Sequence, residues 1–201
     1  MNGPSCFSFR YTVGWLVTGR VPSRLLRSSC EDLDLYSSSS TPVRVLEEYD
    51  YRNARGILHS RAPEILDEMH RLLNNEQFHL RLGAAVGKSQ NLSRQLQTYF
   101  VSYGWELERP VFVLPDLRYD LLKSDVPIEI EIGHERLVYA VFFKFLADYS
   151  QRKIPAGVMV VTQNPKDFGH NWHNSLESTR RKIEAISSAL LVPILVLGLQ
   201  P

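Results

Sequence analysis

Asp120, Glu129 and Glu131 are the residues whose types and spacing could do chemistry. Glu129 and Glu131 alternate with Ile128, Ile130 and Ile132. That is the period-two pattern of a strand, and it ends at Gly133. Alternate side chains on a strand lie on one face, roughly 6.6–6.8 Å apart. The two glutamates therefore share a face and the three isoleucines take the other. Tyr119-Asp120-Leu121-Leu122 precedes this strand, with Ser124-Asp125 between them. If Ser124 and Asp125 make a two-residue turn, Lys123 pairs with Val126 and Asp120 stands opposite Glu129. Opposed side chains project to one side, with Cβ atoms roughly 4.5–5.5 Å apart. Three gathered carboxylates repel one another, and at least one pKa would rise without compensation. A divalent cation supplies that compensation. Magnesium prefers hard oxygen ligands and keeps several waters, which suits an open carboxylate site. An ion so held could polarise a phosphodiester oxygen and activate water, and a second could stabilise a leaving 3′ oxygen. The same alternation also describes a half-exposed strand with solvated glutamates. On residue geometry alone, both readings stand.

Strands and helices must position these acids. Val43 to Leu46 reads as a short strand. Pro63 to Leu73 reads as a helix, with Pro63 in its first turn and Ile65, Leu66, Met69, Leu72 and Leu73 on one face. Ser89 to Tyr103 is a second helix, capped by Ser89 or Asn91 and stopped by Gly104. Trp105 to Leu114 is extended, and Pro110 suggests an edge. After the acidic strand, Glu135 to Tyr149 forms a helix. Leu137, Val138, Val141, Phe142, Phe145, Leu146 and Tyr149 give it a broad apolar face that must be buried. Gly157 to Val161 is a β-branched strand, Trp172 to Ser187 a helix, and Val192 to Leu197 a last apolar strand. Strands alternating with helices imply an α/β fold with a largely parallel, covered sheet at its C-terminal end.

The chain has 201 residues, 44% apolar and 22% charged, which suits one domain with a substantial core. A net charge of +1 carries no hint of a nucleic-acid partner. Cys6 and Cys30 make no disulfide framework and have no metal-ligand spacing, which favours a reducing, cytoplasmic setting. The longest apolar run, Ala189 to Leu199, contains Pro193 and falls short of the roughly 20 residues a spanning helix needs. No membrane partner is expected. Residues 1–42 differ in composition from the rest. Arg10, Arg20, Arg24 and Arg27 precede the first acid, Glu31, and a serine run leads to Pro42. This span reads as a flexible N-terminal extension, with an organellar transit peptide or a mis-assigned start as alternatives.

Tyr-Asp-Leu-Leu-Lys-Ser-Asp-Val-Pro-Ile-Glu-Ile-Glu-Ile-Gly-His, from Tyr119 to His134, resembles the catalytic hairpin of type II restriction endonucleases of the BstYI, BglII and BamHI group. These belong to the PD-(D/E)XK nuclease superfamily. The likeness extends through the helix Val138 to Tyr149, the strand Gly157 to Val161 and the closing Val192 to Leu199. It covers residues 43–201, the expected endonuclease domain. It implies a restriction-endonuclease-like mixed β-sheet flanked by helices. It also implies Mg²⁺-dependent cleavage of double-stranded DNA by a homodimer, in a prokaryotic restriction system with a companion DNA methyltransferase. Asp120 and Glu129 match the metal-binding acids. Glu131 stands where most of the superfamily has lysine and close relatives have glutamine or glutamate, so it could bind metal or orient the attacking water. Some relatives carry a further acid on the preceding helix. Here that helix offers Asn91, Arg94, Gln95 and Gln97, and no acid between Ser89 and Tyr103. A catalytically weak or inactive DNA-binding module on the same fold is therefore the alternative.

Cleavage of a duplex requires cations for phosphates and donors for base edges. Lys88, Arg94 and Lys123 are the phosphate candidates, and His134 lies just past the acidic strand. The polar loop from Thr162 to Ser175 reads as the recognition loop, with Asn171 and His173 as base-reading candidates. His170 and His173 lack the further ligands a zinc site needs. Arg180, Arg181 and Lys182 start a helical basic patch.

Overall fold

Alternation along three central strands decides the layering of the molecule. In β7 (Gly157–Thr162), Val158 and Val160 point to one side and Met159 and Val161 to the other. In β8 (Ile194–Gln200), Leu195, Leu197 and Leu199 take the first side, and Ile194 and Val196 the second. Both sides are apolar, so both must be covered. The computed structural model describes residues 39–82, 88–132, 137–169 and 174–201. Those residues lie within one compact unit, Tyr36–Pro201.

The first side is covered by α1 (Ala54–Arg61), α2 (Pro63–Leu73) and α3 (Lys88–Val101). Helix α2 has the expected bounds, and its five expected apolar residues are all buried. The second side is covered by α4 (Val138–Ser150) and α5 (Leu176–Ala185). The sheet has six strands in the order β2-β8-β7-β6-β5-β4. It includes β2 (Arg44–Tyr51), β4 (Glu106–Pro110), β5 (Arg118–Lys123) and β6 (Val126–Ile130). Strands β6, β7 and β8 are parallel, and the other pairings are antiparallel. The expected mixed sheet flanked by helices is therefore present. Pro110 lies on the edge strand β4, where its missing N–H costs no ladder bond.

Several expectations shift. Ser39–Pro42 is a strand, β1, paired with β3 (His79–Leu82), although it lies in the span read as a flexible extension. The rest of that extension, residues 1–38, lies outside the described residues. Strand β2 runs to Tyr51, well past Leu46, because its outer positions tolerate Glu47 and Glu48 at a sheet edge. Helix α5 begins at Leu176, where Ser175 and Ser178 make a reciprocal cap. Helix α3 begins at Lys88, which puts Ser89 and Asn91 inside it. Leu137 precedes α4 and is exposed, although it was expected on the buried face.

Candidate active site

The β5–β6 hairpin carries the acids. Ser124 and Asp125 both adopt positive φ, 47° and 61°, the left-handed geometry of a two-residue hairpin turn. The register is the expected one: Lys123 pairs with Val126, Leu122 with Pro127 and Leu121 with Ile128. There the ladder stops. Asp120 does not pair through its backbone with Glu129. Its carboxylate Oδ2 instead accepts the Ile130 N–H at 2.8 Å. A side chain has replaced the next rung, and the two strands part where the site begins.

Strand β6 continues into β7 rather than β5. Glu129 is opposite Met159, and the Glu131 N–H donates to Val160 O at 2.9 Å. Ile128, Ile130 and Ile132 are buried in the layer of α1–α3, as the alternation requires. Glu129 faces the other layer, only 2% exposed. A carboxylate buried so deeply must be paired or neutralised. Lys144 of α4 pairs with it through Glu129 Oε1, with 13% of the lysine side chain exposed. Lys144 Nζ also donates to Arg118 O at 2.9 Å and lies 5.9 Å from the centre of the Tyr119 ring. Tyr119 is fixed in turn, its hydroxyl donating to Asp148 Oδ2 at 2.8 Å. Asp148 further accepts the N–H groups of Phe112 and Val113, both at 2.9 Å. From the opposite layer, Gln97 of α3 hydrogen-bonds the Asp120 carboxylate, and Ser93 Oγ donates to Ile130 O at 3.3 Å.

The acids feel one another. Burial first, then the Asp120 charge, raises the pKa of Glu129 well above the ordinary carboxylate value, while Lys144 opposes both. Glu131 is pushed up to about 7 by burial and then by Asp120. Burial also raises Asp120, against the Ile130 N–H and the Lys144 charge, which lower it. This is the mutual destabilisation that three gathered carboxylates must show.

Among the described residues no three acidic, histidine or cysteine side chains form a ready-made metal cage. The donor set nonetheless fits a hard divalent ion. Magnesium commonly binds one or two carboxylates and completes its shell with water and substrate oxygens. Only one Glu129 oxygen is taken by Lys144, and Asp120 and Glu131 are partly open.

The sequence-derived DNA contacts scatter. Arg94 is exposed on α3, next to the face that presents Ser93 and Gln97 to the site. Lys123 is engaged elsewhere: its Nζ lies 2.8 Å from both Glu68 Oε2 of α2 and Tyr103 O, and 5.9 Å from the Trp105 ring centre. Lys88 opens α3, but its side chain lies outside the described residues. So do His134, Asn171 and His173. Two participants escaped sequence reasoning. Lys144 interrupts the apolar run Val141-Phe142-Phe143-Lys144-Phe145, and a cation so placed needs a partner. Gln97 was in view only as a residue that is not an acid.

The fold is similar to that in the crystal structure of restriction endonuclease BglII complexed with a DNA 16-mer, with a TM-score of 0.59 and 14% identity over 76% of each chain. A profile described as restriction endonuclease BglII/BglIII matches residues 46–199, and the chain belongs to that family. It is a restriction endonuclease of the type II, site-specific group. No curated protein sequence matches it.

Proposed function

We propose that the chain hydrolyses phosphodiester bonds of double-stranded DNA in a Mg²⁺-dependent reaction. Its setting is a prokaryotic, cytoplasmic restriction-modification system with a companion methyltransferase. The observation that carries this reading is the convergence of Asp120, Glu129 and Glu131 at the parting of a hairpin, in a chain of this family. Asp120 and Glu129 would hold the metal. When bound, the ion supplies Lewis-acid polarisation of the scissile phosphate and a more acidic water. The Ile130 N–H and Gln97 orient the Asp120 carboxylate, and Lys144 orients that of Glu129. Glu131, partly open and raised in pKa, is suited to accept a proton from the attacking water. Arg94 contacts backbone phosphate, and Lys88 and His134 are the further candidates for that role. Asn171 and His173, in the sequence that follows β7, read base edges. Lys123 reaches a phosphate only by leaving Glu68.

The working unit is a homodimer. On α4, Tyr139 and Phe143 are 52% and 57% exposed, and Leu137 precedes them at 55%. Clustered large apolar side chains on one helix suit a second copy. The domain organisation is an N-terminal extension followed by the nuclease domain over residues 43–201, with β1 now joined to the latter.

Incubation of unmethylated plasmid with the protein and Mg²⁺ tests the proposal. Discrete double-strand fragments ending in 5′-phosphates are expected, and none without the metal. A second reading rests on Glu131 in place of a cation and on the acid-free α3: a DNA-binding module with little turnover. That reading predicts salt-dependent DNA binding with intact plasmid in both Mg²⁺ and Mn²⁺.

A further inference from the structure

Lys144 has no part in the sequence pattern that defines the site, yet it holds the site's most buried acid. Its ammonium is not a swinging surface charge. It is fixed by Glu129, by Arg118 O at 2.9 Å and by the face of the Tyr119 ring. The Tyr119 hydroxyl is anchored to Asp148 on α4, one turn from Lys144, and so clamps β5 to the helix that delivers the lysine. We infer that Lys144 takes the place of a second metal ion and restricts the centre to one divalent cation per chain. The inference rests on the metal site proposed above.

Charge and ligand supply agree. Asp120, Glu129 and Glu131 carry three negative charges when ionised, and Lys144 removes one. One divalent ion then balances what remains, and a second would leave the DNA-free centre strongly positive. Like charges a few ångströms apart in a poorly solvated pocket repel one another far more than they do in water. Glu129 Oε1 is committed to Lys144 and Asp120 Oδ2 to the Ile130 N–H, so two of the oxygens that could bridge a metal pair are spent. Helix α3 contributes Ser93 and Gln97 to the centre and no carboxylate. In this arrangement a tethered ammonium provides the second positive charge, and it cannot dissociate.

The test is the number of ions bound, measured on the full chain without DNA by calorimetry with Mn²⁺ and, in parallel, Ca²⁺. Wild type should bind one ion per chain, and Asp120→Asn should abolish that binding. Lys144→Met should admit a second ion, bound at least about tenfold more tightly than any second ion to wild type. Lys144→Arg, which keeps the charge, should restore a count of one. Thermal melting confirms that each variant folds. Two ions bound to wild type would overturn the inference, whatever becomes of the variants. An unchanged count and affinity in folded Lys144→Met would overturn it too. No ion bound to wild type would instead remove the metal site on which it rests. That result is distinct from the binding of two.

Discussion

At the scale of single residues, the centre is a contest between repulsion and compensation. Glu129 stays in place because Lys144 lies against it, and Asp120 because a backbone N–H and Gln97 hold it. Changes here should separate cleavage from stability. Asp120→Asn removes charge but keeps shape, so it should leave the fold intact. Loss of several kcal/mol of transition-state stabilisation corresponds to a fall in cleavage on the order of 10³-fold, measured with plasmid DNA under single-turnover conditions. Tyr119→Phe should lower stability. It deletes the hydroxyl that donates to buried Asp148, a hydrogen bond to a charged group worth about 1.5–3 kcal/mol. A urea midpoint should fall accordingly. An unchanged midpoint would mean that the Tyr119–Asp148 bond does not anchor β5 to α4.

At the scale of elements, the site depends on how closely α4 lies on the sheet. Gly157 opens β7 directly beneath the helix. A Cβ there would meet the Phe145 ring at 2.4 Å, and that ring is fully buried. Gly157→Ala must displace α4 or the strand, at a cost of about 1–3 kcal/mol. Because Lys144 precedes Phe145, cleavage should suffer as well as melting temperature. A Gly157→Ala protein that melts like wild type would refute this packing. On the other layer, His70 of α2 lies 3.5 Å from Glu48 of β2. Burial lowers its pKa below the usual 6.5, and Glu48 only partly restores it. Between the lowered value and 6.5 the unfolded chain binds more protons than the folded one. This stabilising contribution is therefore complete above about pH 6.5 and is lost as the pH falls below it. Comparing wild type with His70→Gln by denaturant titration at pH 7.5 and 5.5 should show a shallower acid loss in the variant. Equal losses would contradict it.

Elements also explain what was legible in the sequence. Helix α2 could be read to the residue because five apolar positions recur at helical spacing behind a proline. The hairpin register followed from a two-residue turn and an apolar–acidic alternation. Helix α1 gave no such signal, since only Ala54 and Leu58 of its eight residues are buried. The parting of β5 from β6 was not legible either. It arises from a side chain replacing a backbone rung, which periodicity does not encode. Lys144 was visible as a charge in an apolar run, but the strand it would face depends on how α4 crosses the sheet. That crossing is a long-range packing outcome.

At the scale of the whole molecule, the proposed homodimer would bring two centres to the two strands of a duplex, and α4 carries the exposed apolar side chains Tyr139 and Phe143 on which a second copy would pack. Phe143→Glu should convert a dimer to a monomer in sedimentation velocity and leave single-strand nicking in place of double-strand cuts. A variant that sediments as wild type would remove α4 from the interface. No helix among the described residues is long and apolar enough to cross a membrane.

Whether Asp120 and Glu129 make this fold a metal-dependent nuclease, as proposed, is tested most directly by digestion of unmethylated DNA with wild type, Asp120→Asn and Glu129→Gln. With Mg²⁺, wild type should produce discrete fragments that chelation abolishes, while both folded variants leave the DNA intact. Undiminished, metal-independent cutting by either variant, or intact DNA with the wild-type protein, would contradict it.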